Sequence, residues 1–466
     1  MSLYNSSAAD LLSALRSGEL SAATLMEATL DRIGQVNGEV NAIVALRDRE
    51  ALMTEARAAD EATEKGPLHG LPIAVKDLEN VRGIVSSSGS PAYRDFIPDE
   101  DGLLPSRLRA AGAILIGKTN VPEFGLGSHT FNPVYGATRN PYGTTKSCGG
   151  SSGGAGVALA AGMVALADGS DMMGSLRNPA AWSNVYGFRP SWGRVPSTPG
   201  GDMFLQQLST LGPMARSPED IAILLDVISG PDPRRPLPVE CTPVAPLVPA
   251  ETKGLRIGWL GDWGGAFPVE EGILDNSRAA LSVLEDLGCV VEEVAPPFDA
   301  DAMWDSWITL RSWSVAGRYA PLLSTPGLLK DTAIWEIERG ISFSAMDIYN
   351  ASVVRSDWFQ KAAEMFQTYD ALVLPTTQLW PFDVTLDYPA EIAGHRMDTY
   401  HRWMQVVIPV SLIGLPALAV PAGFSSAGLP GGVQIFGPLG SDAKILALGA
   451  AYHAATGWPQ KRPPAM

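Results

Sequence analysis

The reactive side chains of this sequence gather around one lysine and two serine clusters. Lys76 ends the apolar run Leu71-Pro72-Ile73-Ala74-Val75-Lys76-Asp77. Ser151 and Ser152 sit in Gly149-Gly150-Ser151-Ser152-Gly153-Gly154, and Ser175 in Gly169-Ser170-Asp171-Met172-Met173-Gly174-Ser175-Leu176-Arg177. Amide cleavage needs a nucleophile, a base that later returns its proton to the leaving nitrogen, and donors for the oxyanion. Ser175 is the candidate nucleophile. The backbone N–H groups of Met172, Met173, Gly174 and Ser175 lead up to it, and such a turn can aim several amides at one oxygen. Lys76 is the candidate base. An exposed lysine stays protonated at neutral pH, whereas one at the end of an apolar strand is desolvated and its pKa falls. Ser151 is the candidate relay, because a hydroxyl both donates and accepts.

Taken singly, these residues have ordinary readings. Strand-end lysines are usually solvated, and glycine–serine clusters are mostly loops. Only the three-part constellation is specific. Gly149 to Gly153 also fits the GxSxG elbow of α/β-hydrolases, but that motif needs a buried strand directly before it. Asn140 to Ser147 is polar and turn-like instead. No GK[ST] follows the glycines, so they do not form a phosphate loop. Asp171 and Arg177 read either as an exposed surface pair or as a buried ion pair kept for geometry. Trp304, Trp307, Trp313, Tyr319, Trp335 and Trp358 read as core between helices slightly ahead of pocket lining. His395 and His401 lack a partner at ligand spacing, so a surface-loop role is expected and no metal site. Cys148 is read as a buried structural thiol.

From about His69 to Ser197 the chain resembles the amidase signature family of serine hydrolases. GLPIAVKD, GGSSGG and GSLR match that family's lysine and two serine motifs, and Ser151 and Ser175 are 24 positions apart as in its members. Further matches are Lys118-Thr119-Asn120 with Glu123, Arg139-Asn140-Pro141, Gly187-Phe188-Arg189-Pro190, and Gly414-Leu415-Pro416-Ala417 through Gln434. The resemblance implies a Ser–cisSer–Lys triad of Ser175, Ser151 and Lys76, with a cis Gly150–Ser151 peptide. It also implies that Ser152, Asp171 and Arg177 support the relay, and that the fold is one large α/β/α sandwich around a mixed β-sheet. Met173 stands where relatives usually carry glycine, and a left-handed φ there would be strained.

The elements that must position these residues alternate between strand and helix signals, which implies an α/β architecture. Helices are expected over residues 7–32, capped by Ser7 and Ser21, then over 48–65, 106–111, 155–167, 272–287 and 441–456. Strands are expected over 41–46, 71–75, 113–117, 255–260, 289–294 and 371–374, near 416–421, and over 432–436. Residues 299–369 read as mainly helical and tryptophan-rich, and as the segment that shapes the substrate pocket. Seven prolines between Pro231 and Pro249 mark a surface loop dividing two segments. One amidase domain over residues 1–466 is expected, with its catalytic core near 69–195.

Composition narrows the function classes. The 466 residues are 46% hydrophobic and 18% charged, enough for a large core, and the net charge of −16 disfavours nucleic-acid binding. Cys148, Cys241 and Cys289 are widely spaced with no CxxC pair, which fits a reducing compartment. No secretory pattern opens the sequence and no apolar run reaches a membrane span, so a cytoplasmic protein with no membrane partner is expected. The expected function is amide hydrolysis of a small-molecule carboxamide through an acyl-serine, the acyl group apolar or aromatic. No metal or organic cofactor is expected, and a homodimer is the assembly considered. The alternatives are the glutamine-hydrolysing component of a tRNA-dependent amidotransferase and a non-catalytic small-molecule binder on an amidase scaffold.

Overall fold

The computed structural model describes residues 3–466 apart from 206 and 238. Its centre is an eight-stranded mixed sheet. In spatial order the strands are Val290–Glu293, Arg256–Trp259, Ala371–Pro375, Pro430–Phe436, Ala417–Phe424, Tyr186–Arg189, Thr210–Ala215 and Leu166–Asp171. The first three pair in parallel and the remaining neighbours pair antiparallel. Both faces are covered. Along Ala371–Pro375, Ala371 and Val373 join one apolar cluster while Leu372 and Leu374 join another. That two-residue alternation divides the core into two layers, as a sheet with helices on both sides requires. Helices Gly153–Ala160 and Arg177–Trp182 pack on the sheet near the serine clusters, as do Pro218–Ile228, Ile273–Asp286 and Asp442–Thr456 elsewhere. The architecture is the expected α/β fold.

A three-stranded sheet carries the lysine. Pro72–Lys76 runs parallel to Ile114–Thr119, which pairs antiparallel with Ile43–Val44. Every residue of Pro72–Lys76 is buried. The end of this strand meets the edge of the large sheet, where the Lys76 N–H donates to Asp168 Oδ1 at 3.0 Å.

The capping signals hold. Ser7 and Ser21 cap helices Ala8–Ser17 and Ala22–Val40, each accepting a backbone N–H at 3.0 Å. The expected helix 155–167 is corrected. It spans Gly153–Ala160 and breaks at Gly162, whose φ is +69°, and Leu166–Asp171 is then a strand. An all-round apolar, small-residue run carries no period that separates helix from strand. Strand 41–46 shrinks to Ile43–Val44, and Tyr186–Arg189 and Thr210–Ala215 are strands that the pattern did not reveal. The segment 299–369 is helical as expected, in Ala300–Tyr319, Asp331–Ser342 and Ala345–Met365. Among the described residues no helix or strand lies between Ile228 and Arg256, so the proline-rich stretch is a loop. It does not divide the structure, because strands from before and after it share the large sheet. Among the described residues no helix is long and apolar enough to cross a membrane.

Candidate active site

Lys76 Nζ is buried and surrounded by oxygens. It donates to Ser151 Oγ at 2.8 Å, Ser152 Oγ at 2.8 Å and Ser170 Oγ at 2.9 Å, with the Ser170 carbonyl at 3.3 Å. An ammonium can donate three hydrogen bonds to this set. A neutral amine can donate two and accept one, since three of the four neighbours are hydroxyls. Both protonation states are therefore satisfied without moving a heavy atom. Burial lowers the Lys76 pKa from 10.5 to about 7, against the pull of Asp168, Asp171 and Glu79.

The two serine clusters are held against each other. The Ser152 N–H donates to the Ser175 carbonyl at 3.3 Å. Thr130 Oγ1 donates to the Gly149 carbonyl at 2.8 Å and Ser128 Oγ to the Gly150 carbonyl at 2.7 Å. The Gly150–Ser151 peptide is cis. Gly125, at φ +70°, lies so close that a Cβ there would sit 3.3 Å from Ser151 Oγ. Ser151, Ser170 and Ser175 all open into one cavity of about 740 Å³.

Asp171 organises the turn before Ser175. It accepts from Arg177 Nε at 2.9 Å and Nη2 at 3.0 Å, from Arg189 Nη1 at 3.1 Å, and from the N–H groups of Gly174 at 2.8 Å and Leu176 at 3.2 Å. All three charged residues are fully buried, so the surface-pair reading of Asp171 and Arg177 is excluded. Burial opposes ionisation of Asp171, but Arg177 and Arg189 outweigh it and hold the carboxyl well below the usual range. Arg177 is held in turn by Ser411 Oγ at 2.6 Å and by Gln434 Oε1.

This network bears on the four N–H groups singled out in the sequence. Gly174 gives its N–H to Asp171. Among the described residues those of Met172, Met173 and Ser175 have no intramolecular acceptor. The expected strain at Met173 is absent. The left-handed φ of the turn, +77°, belongs to Gly174, and the buried Met173 side chain packs into the second core cluster while also lining the cavity.

Other sequence readings sort clearly. Cys148 is buried and unpaired, and burial pushes its thiol up to about 12. Trp304, Trp307 and Trp358 are core, whereas Trp313 and Tyr319 line the cavity. Trp335 is exposed. His395 is exposed as expected. His401 is not. It is fully buried, stacked on Tyr400 and edge-on to Trp304 and Trp307. Among the described residues no cluster of His, Cys, Asp or Glu has metal-binding geometry.

Sequence reasoning gave no role to Ser170, Arg189, Gln434 or Glu79. Ser170 lies inside the second serine cluster, and Arg189 and Gln434 lie inside the family-like motifs. The Glu79 N–H returns to the Lys76 carbonyl at 3.1 Å, a tight turn that places Glu79 among the residues lining the cavity. Burial, with Asp168 adding repulsion, raises the Glu79 pKa to about 7.

A profile of the amidase family matches residues 24–446. The chain is 33% identical to an acylamidase of Rhodococcus erythropolis over 469 residues, covering 98% of this chain and 97% of that one. It is 34% identical to the A component of the glutamyl-tRNA(Gln) amidotransferase of Thermus thermophilus over 470 residues, covering 94% and 95%. The chain belongs to the amidase signature family. Among solved structures, a bacterial aryl acylamidase of that family superposes with a TM-score of 0.92 at 29% identity, over 99% of each chain. A peptide amidase of Stenotrophomonas maltophilia superposes with a TM-score of 0.82 at 28% identity, over 99% and 98%. Like its amidase signature relatives, the chain is an amide-hydrolysing enzyme.

Proposed function

We propose that this amidase signature enzyme cleaves a carboxamide to a carboxylic acid and ammonia or an amine, with Ser175 as nucleophile, Ser151 as relay and Lys76 as base. Neutral Lys76 takes a proton from Ser151 Oγ while Ser151 takes one from Ser175 Oγ, and Ser175 Oγ bonds to the amide carbon. The oxyanion is held by the N–H groups of Met172, Met173 and Ser175. Gly174 completes the turn and keeps its N–H on Asp171. Asp171, Arg177 and Ser152 hold the turn and the lysine in place. The relay then runs backward, so that Lys76 returns its proton through Ser151 to the leaving nitrogen. Water, deprotonated by the same relay, attacks the acyl-serine and frees the acid. The observation that carries this reading is the buried Lys76 amine bonded to Ser151 in the wall of the cavity that Ser175 opens into.

The acyl group we assign is apolar or aromatic. Phe124, Leu126, Met172, Trp192, Trp313 and Tyr319 line the cavity, and 740 Å³ is of the size that encloses a small organic molecule. The two stretches on either side of the proline-rich loop form one domain in this reading, with residues 311–319 supplying pocket wall. Free thiols at Cys148, Cys241 and Cys289 fit a reducing, cytoplasmic setting.

The test is a fluorophosphonate that reacts with activated serines, mapped by peptide mass spectrometry. An adduct on Ser175 that is lost in Lys76→Ala is expected, with amide hydrolysis abolished in Ser175→Ala. Full hydrolysis by Ser175→Ala sinks the assignment. Ammonia release from glutamine as the preferred reaction would favour the amidotransferase reading.

A further inference from the structure

Arg311 is a cation in the cavity wall that the mechanism leaves without a role. Its side chain is 4% exposed. Nε donates to Glu336 Oε1 at 2.6 Å, and Nη2 to Tyr400 Oη at 2.8 Å and to Glu336 Oε2 at 3.3 Å. The Tyr400 hydroxyl donates in turn to Glu336. The guanidinium lies over the Trp307 ring, 5.3 Å from its centroid. Three of its five N–H groups are thus committed to strong acceptors. Nη1 is different. Among the described residues its one acceptor is Met172 Sδ at 3.4 Å, and Met172 and Arg311 both line the cavity.

A thioether is a weak acceptor, and a guanidinium N–H is among the strongest donors a protein has. A buried donor left on a weak partner gains by exchanging it for an oxygen. The exchange is open here, because Met172 is flexible and shares the cavity wall. Glu336 neutralises the guanidinium from behind, so the pair presents a directional donor without net charge. A carboxylate would meet the field of Glu336 as well as that of Arg311. A neutral oxygen, such as an ether, carbonyl or hydroxyl, meets only the donor.

Resting on the reading of this cavity as the amide-binding site, we propose that Arg311 Nη1 is a specificity determinant. It displaces Met172 Sδ and binds a neutral oxygen acceptor on the substrate, apart from the scissile carbonyl. The amides this enzyme prefers are then apolar or aromatic bodies carrying one such oxygen, rather than plain hydrocarbon amides or anionic ones.

The test uses three isosteric pairs, 2-, 3- and 4-methoxybenzamide against 2-, 3- and 4-ethylbenzamide. Their affinities are measured by calorimetry on the Ser175→Ala chain. At least one methoxy isomer is expected to bind about tenfold more tightly than its ethyl counterpart, the scale of one hydrogen bond to a charged donor. Because Arg311→Met alone strands Glu336 as a buried charge, the partner variant is Arg311→Met with Glu336→Gln. There the methoxy-to-ethyl ratio is expected to fall to about one, while Glu336→Gln alone, which keeps the guanidinium, retains a preference. A merely structural defect weakens both members of a pair and leaves their ratio unchanged. A ratio near one for all three pairs in the parent chain overturns the proposal. So does a ratio that survives in the double variant, or no binding by any of the six amides. Failure of Ser175 as nucleophile shows separately, as turnover by the Ser175→Ala chain.

Discussion

The most demanding consequence of the buried lysine is a pH profile. With its pKa lowered from 10.5 to about 7, half of Lys76 is neutral at pH 7, against roughly 0.03% for an exposed lysine. Burial thus raises the supply of base by about three orders of magnitude, at a cost of about 5 kcal/mol for holding the proton. Hydrolysis of a fixed amide, and phosphonylation of Ser175, are both expected to rise about tenfold per pH unit below neutrality and to level off above it. At pH 5.5 the rate is about 3% of its plateau. Lys76→Arg keeps the charge but cannot deprotonate, so activity is expected to fall by at least about a thousandfold. Glu79 titrates in the same range and favours the protonated lysine, so the two groups share macroscopic constants. Glu79→Gln is therefore expected to move the acid limb to lower pH. Stability changes in the opposite sense to the usual gain from a paired cation. Between about pH 7 and 10.5 the unfolded chain holds a proton on Lys76 that the folded chain lacks, so stability rises with pH across that window. Lys76→Met is thus expected to raise Tm most at pH 6, with the advantage shrinking towards pH 10. A rate that is flat from pH 5.5 to 9, a tenth of the activity left in Lys76→Arg, or an acid limb moved upward in Glu79→Gln would each refute the argument.

Asp171→Asn leaves Arg177 and Arg189 buried around a neutral amide and is expected to cost about 3–5 kcal/mol in denaturant titration. Because the Asp171 carboxyl is held low, its contribution is complete above the ordinary carboxylate range and is lost only as pH falls through the lowered value. The deficit should accordingly be the same at pH 6 and pH 8, and a deficit that disappears at pH 6 contradicts the assignment. Gly125→Ala puts a Cβ 2.7 Å from Leu78 Cδ1 and 3.3 Å from Ser151 Oγ at a φ of +70°. Displacing the relay in this way is expected to lower kcat by about 10–100-fold, and an unchanged kcat would show that Gly125 does not seat Ser151. Cys148, buried with its thiol pushed up to about 12, is expected to resist a thiol-specific disulfide reagent until the chain unfolds, whereas the half-buried Cys241 reacts first. Rapid modification of Cys148 in the folded chain would contradict its reading as a buried structural thiol.

What the sequence displays and what it hides divide along chain distance and polarity. Lys76, Ser151 and Ser175 are legible because each lies in a short local signature of glycines or apolar neighbours. Ser152, Asp171 and Arg177, which hold them, are legible through the same motifs, but the more distant partners are not. Arg189 reaches Asp171 from 18 positions away and Gln434 reaches Arg177 from 257 away, so no window on the chain shows either contact. His401 looks like a loop residue because the rings enclosing it, Trp304 and Trp307, come from a helix almost a hundred positions upstream.

The strand Leu166–Asp171 escapes the sequence pattern for a different reason. Its residues are small or polar, Leu-Ala-Asp-Gly-Ser-Asp, where a buried strand normally reads as a β-branched run. Three of those polar side chains serve the site: Asp168 takes the Lys76 N–H, Ser170 takes the Lys76 amine, and Asp171 ties the turn of Ser175. On the proposed mechanism, the local rule for strands fails there because polar side chains that serve the chemistry occupy the positions that hydrophobic residues would otherwise fill. Replacing Asp168 or Ser170 with valine would make the segment read as a better strand while stripping the lysine of its partners. The departure from pattern thus agrees with the proposed placement of the reaction at this edge of the sheet.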